Sequence, residues 1–75
     1  IGKYRSNVSI ASLLSMSDRI SDNDIAWQYL VSYENIVGNN IEPDFIDVFK
    51  RIEKYSEKDA RIERSLNRFG FRLNR

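Results

Sequence analysis

The chain has 75 residues, with twelve Lys or Arg against eleven Asp or Glu, and neither histidine nor cysteine. That length is one domain, near the lower limit for burying a core without metal or disulfides. The composition excludes a disulfide framework, a thiolate nucleophile, a zinc–thiolate site and an imidazole base. Secreted domains this small usually need covalent staples, so their absence points to an intracellular, cytoplasmic chain.

No apolar run approaches the roughly 20 residues that span a bilayer, and no signal peptide is visible. The sequence begins at Ile1, which predicts a single helical domain, 1–75, excised from a larger protein. Charge is unevenly placed. Residues 1–17 carry Lys3 and Arg5 and no acid, residues 18–59 hold ten acids against five bases, and residues 60–75 hold five arginines against Glu63. A basic end on a near-neutral chain implies a local anionic contact, or pairing with the chain's own acidic middle.

Taken in order, Ile1–Arg5 reads as a lead-in without period. Asn7 or Ser9 is placed to cap a first helix at about 8–18, with Ile10, Ala11, Leu13 and Leu14 mostly on one face. Its serines make it marginal unless it docks. A strand through Val8 and Ile10 is the alternative, with no second strand to pair with. Ser21 and Asp24 have capping-box spacing, and Ile20 and Ile25 fit a hydrophobic staple across the same cap. A second helix then runs over about 22–37, with Ile25, Ala26, Tyr29, Leu30, Tyr33, Ile36 and Val37 as its inner face and Gly38 as its terminator. Trp27 and Val31 fall outside that face, one turn apart. They are either covered by the first helix or the lead-in, or they form a small aromatic anchor for a partner.

Pro43 suits the first position of a third helix, about 43–55, and Asp44 and Asp47 complement its dipole. Phe45, Val48, Phe49, Ile52 and Tyr55 form its core face, with Ile46 off to one side. Ser56 divides the reading. Nothing there forbids one long helix from Pro43 to about Phe69. Ser56 and Asp59 nevertheless repeat the cap-and-acid spacing of a separate fourth helix over about 57–69. Asp59 lies on the apolar seam, where an unpaired carboxylate would be costly, and this favours a bend or break. Gly70 either ends the last helix or is tolerated within a longer one. The expected fold is all-α, a small bundle of three or four helices, the last two either separate or one long helix.

Two stripes mark the C-terminal segment. Ile62, Leu66, Phe69 and Leu73 continue a four-three apolar seam from Val48. Arg61, Arg64, Arg68, Arg72 and Arg75 form a ridge within roughly 80° of arc, away from that seam.

Catalytic constellations are absent from the sequence. Serines without histidine cannot build a triad, and every lysine sits in a polar neighbourhood. Asp22 with Asp24, and Asp44 with Asp47, are accounted for as helix N-terminal acids rather than acid–base pairs. The segment DRISDND lacks the glycine and terminal glutamate of a calcium loop, and no phosphate-binding glycine loop occurs. The expectation is therefore a non-enzyme without catalytic residues, cofactor, metal or small-molecule substrate.

Binding is the remaining class. The expected role is a protein-interaction or assembly and regulatory module. It would hold a protein partner, or a second copy as a homo-oligomer, through Ile62, Leu66, Phe69 and Leu73, with Trp27 as a secondary contact. The alternative is nucleic-acid binding, with Arg61, Arg64, Arg68, Arg72 and Arg75 on phosphates. The acidic middle of the chain argues against that alternative. A membrane-surface helix is the weakest reading, because its apolar face is short.

Overall fold

A computed structural model describes residues 7–71, with side chains described from Ile10 onward. The described residues form four α-helices and no strand: α1 (Asn7–Ser17), α2 (Asn23–Ile36), α3 (Ile46–Glu53) and α4 (Ala60–Arg68). A 3-10 turn at Pro43–Phe45 leads into α3, and another at Lys54–Glu57 follows it. The expected all-α bundle is therefore the fold. The strand considered at Val8 and Ile10 does not form, since both residues are helical in α1.

Asp22, rather than Ser21, caps α2: its extended backbone turns the chain, and its carboxylate accepts from the Ile25 N–H at 2.9 Å. An ionised acceptor at the positive end of a helix dipole makes a stronger cap than a hydroxyl. The shift by one residue frees Asp24 from capping. Ala26, Tyr29, Leu30 and Tyr33 are the buried face of α2. Ile25, expected among them, is 37% exposed; it lies on the rim of that face rather than in it. Gly38 ends the helix at φ +103°, its N–H bonding to the Glu34 carbonyl at 3.0 Å. The positive φ turns the chain out of the helix after that bond, a conformation glycine adopts without a Cβ clash.

Phe45, Val48, Phe49 and Ile52 are buried on α3 and its lead-in turn, and Ile46 is exposed, as the periodicity implies. The helix then tightens into the 3-10 turn, where the buried Ser56 hydroxyl donates to the Glu53 carbonyl at 2.6 Å. This back-bond occupies Ser56, so it does not cap α4. Asp59 does, accepting from the Arg61 N–H at 2.9 Å. A long continuous helix is thus replaced by a break of the kind that Asp59 on the seam called for.

Gly70 stops α4. At φ +78° it brings its own N–H to the Asn67 carbonyl and the Phe71 N–H to the Leu66 carbonyl, each at 3.0 Å. That pair of bonds is a Schellman motif, and Phe71 packs against the core as such motifs favour. The helix does not continue through Gly70.

The core gathers Leu13 from α1 with the inner faces of the other three helices. At its centre the Tyr33 ring meets Phe45, Phe49 and Phe69 edge to face, at centroid distances of 4.9, 5.1 and 5.6 Å. Such geometry adds about 0.5–1.5 kcal/mol per pair beyond area burial. The Tyr33 hydroxyl donates to the Asn40 carbonyl and accepts from the Glu42 N–H, both at 2.8 Å, and so fastens the loop between α2 and α3. Burial pushes the Tyr33 phenol above its ordinary pKa. The Tyr29 phenol is likewise pushed up by burial, and it donates to the Leu13 carbonyl at 2.9 Å.

Candidate interaction surface along α2 and α4

On α2, Asp24, Trp27, Val31 and Glu34 recur at three, four and three residues and share one flank. On α4, Arg61, Arg64 and Arg68 do the same. Two ion pairs join the flanks. Arg61 Nη2 lies 2.8 Å from Asp24 Oδ1 near the N-terminal ends, and Arg68 Nη2 lies 3.0 Å from Glu34 Oε1 near the C-terminal ends. The two helices therefore run parallel along this contact.

Arg61 is the best-determined group on this face. Its Nε and Nη2 reach both oxygens of Asp59, at 3.1 and 2.8 Å, while Asp59 also caps the helix that carries Arg61. The same guanidinium stacks over the Trp27 ring at 4.8 Å from the centroid. A planar guanidinium can satisfy carboxylates at its edge and an aromatic ring on its face simultaneously, which an ammonium cannot. The Arg61 side-chain hydrogen bonds hold the Asp59 carboxyl below the usual carboxylate range, partly opposed by desolvation. Thus Asp59, read from the sequence as a charge breaking the seam, is the helix cap and a paired anion beside it.

The residues expected to hold a partner are distributed differently from expectation. Ile62 and Leu66 are fully buried, and Phe69 is 8% exposed. These three are spent on the chain's own core, because α4 packs on both α2 and α3. As folded, they present no surface to a partner. Leu73, Arg72 and Arg75 lie outside the described residues. Trp27 is partly buried, and Arg61 from α4 lies over its ring; the lead-in offered as its cover falls outside the described residues.

Of the arginine ridge, Arg61 and Arg68 are occupied by acids of α2, and Arg64 is exposed with no ion-pair partner among the described residues. Their positions place Arg64 on the outer shoulder of α4 and Val31 on the outer shoulder of α2. Beyond the N-terminal end of the seam, Asp22, Asn23, Asp24, Asp59 and Arg61 line an open concavity. Among the described residues, no group of three or more carboxylates is arranged to hold a metal. No helix there is long and apolar enough to cross a membrane.

Sequence reasoning missed the Asp24–Arg61–Asp59–Trp27 cluster. The cap spacing of Asp59 and the one-turn spacing of Asp24 and Trp27 were visible, but joining them requires knowing that α2 and α4 are parallel neighbours. No family model matches the chain, and comparisons with curated proteins and with solved structures find no match.

Proposed function

We propose that this domain is a non-enzymatic protein-interaction module that meets its partner with the outer face of α4 and the adjoining flank of α2. The observation that carries the reading is Arg64. It is an exposed guanidinium without a described counter-charge, held between Arg61 and Arg68, whose side chains are fixed by Trp27, Asp24 and Glu34. Arginine and tryptophan together are enriched among residues that dominate binding energy, and rigid neighbours lower the entropy lost on binding. The apolar seam of α4 does not serve this role, because its described residues are internal.

Nucleic acid is the less supported ligand for the same ridge. Asp24 and Glu34 stand beside two of its three described arginines, and a phosphate chain would face those carboxylates.

The test combines two measurements. Chemical cross-linking from α4 in the chain's native setting is expected to capture a protein that Arg64→Glu loses. Capture unchanged by Arg64→Glu would refute the assignment of this face. Titration against mixed RNA and DNA at two salt concentrations is expected to give no binding. Binding that weakens with salt, and that Arg64→Glu abolishes, would transfer the face to nucleic acid.

A further inference from the structure

Ser21 and Ser56 are the serines of this chain that carry an acid at both the next position and the third. Asp22 and Asp24 follow Ser21, and Glu57 and Asp59 follow Ser56. The fold separates the two. Ser56 is buried, and its hydroxyl donates to the Glu53 carbonyl at 2.6 Å. Ser21 is exposed on the connector between α1 and α2, and its hydroxyl makes no hydrogen bond among the described residues. Asp22 has taken the cap that Ser21 was spaced to make, so the Ser21 hydroxyl has no structural task.

The flanking residues fit the cleft of a protein kinase. Asp22 has extended backbone, at φ −154° and ψ 178°, the conformation in which a kinase holds the residues beside its target. Asp24 is the second residue of α2, and 73% of its side chain is exposed. Its pair with Arg61 at 2.8 Å is a surface pair that yields at little cost. Two carboxylates directly after an exposed serine match a kinase whose substrate cleft is basic, since charge pattern is how kinases discriminate.

The fold also supplies a receiver for a phosphate. Ser21 and Asp22 line one concavity with Lys54, Tyr55, Glu57 and Lys58, from the 3-10 turn after α3 and the residue that follows it. Lys54 and Lys58 are exposed and have no ion-pair partner among the described residues. Lys54 Nζ lies over the Tyr55 ring, 5.5 Å from its centroid. The Asp22 carboxylate is engaged with the Ile25 N–H, which leaves Glu57 as the countercharge to two lysines.

We propose that Ser21 is a phosphorylation site for an acid-directed serine kinase, and that Lys54 and Lys58 receive the phosphate. In the transfer, the bond from Ser21 Oγ to the γ-phosphorus of ATP forms as the bond from that phosphorus to its bridging oxygen breaks. ADP leaves, and the hydroxyl proton passes to the catalytic aspartate of the kinase. The product carries a charge of about −1.5 to −2, and its pairing with the lysines ties the α1–α2 connector to the turn between α3 and α4. The site uses no residue of the α4 ridge and is independent of what that ridge binds.

Two measurements on the full chain test it. The folded chain is incubated with ATP and a serine kinase selective for acids after its target, and the modified residue is located by mass spectrometry. One phosphate on Ser21 is expected, and Ser21→Ala is expected to abolish it. No transfer, or transfer to another serine instead, overturns the proposal. Phosphorus NMR then titrates the phosphorylated wild type beside a Lys54→Gln, Lys58→Gln double variant, whose replaced side chains are both exposed. The second phosphate pKa is expected to be lower by about 0.5 in the wild type, because nearby cations favour the dianion. Asp22 and Glu57 are present in both chains and cancel in the comparison. Equal pKa values overturn the assignment of the lysines as receivers.

Discussion

Leu66 separates an internal seam from an external one. Its side chain has no solvent exposure and sits in the cluster that joins α2, α3 and α4. Truncating such a leucine to alanine costs about 2–5 kcal/mol, the transfer term plus the cavity left behind. A chain of 75 residues has a total stability of about 4–11 kcal/mol at typical per-residue values. At mid-range values Leu66→Ala leaves a folded but weakened domain, with Tm lowered by about 8–40 °C at the usual sensitivity for this size. Leu66→Asp adds an unpaired carboxylate to the same site, a further several kcal/mol, which exceeds what the domain can lose. Far-UV circular dichroism of the two variants, with sedimentation in parallel, makes the comparison. The expected order is wild type folded, alanine folded with a lower Tm, and aspartate unfolded at 25 °C. A Leu66→Asp chain that melts like wild type but associates less would refute the placement of α4 and return the seam to a partner.

Three other perturbations probe separate features. Tyr33→Phe removes the hydroxyl shared by the Asn40 carbonyl and the Glu42 N–H; it should cost about 1–2 kcal/mol in urea denaturation with an unchanged m-value, and an unaltered midpoint would mean the loop is held otherwise. Gly38→Ala meets no atom within 4 Å of the added Cβ but must hold φ +103°, so the loss is backbone strain of at least about 1 kcal/mol. A thermal melt at or above that of wild type would contradict it. The Asp59 carboxyl titrates below its ordinary value in the fold, so its contribution is complete above about pH 5 and is lost as pH falls through the depressed value. Asp59→Asn should flatten the acid limb of the stability curve below about pH 4, and superimposable limbs would show that the Arg61 pairing contributes nothing.

Local patterns were legible wherever a single element carries its own instruction. Gly38 terminates its helix at positive φ, as read; Gly70, which the sequence left open, does the same. Pro43 opens the third helical segment, and Phe45, Val48, Phe49 and Ile52 share its buried face, as their spacing requires. The caps were legible only to within a few residues. Ser21 and Ser56 have the right chemistry, but Asp22 and Asp59 take the positions: a carboxylate beside Ser21 is favoured at a helix dipole, and Ser56 is engaged with the Glu53 carbonyl.

The sequence alone determined that this chain is helical, that its second helix stops at Gly38, and that it carries one apolar and one basic stripe at its C-terminal end. Which stripe faces outward was decided by tertiary structure. Packing α4 against both α2 and α3 consumes Ile62, Leu66 and Phe69, because burying three large side chains outweighs leaving them for an external partner. The parallel alignment of α2 and α4 then sets Asp24 and Glu34 beside Arg61 and Arg68. Residues 37 and 34 positions apart in sequence become ion pairs, and no periodicity within one helix encodes a neighbour across another.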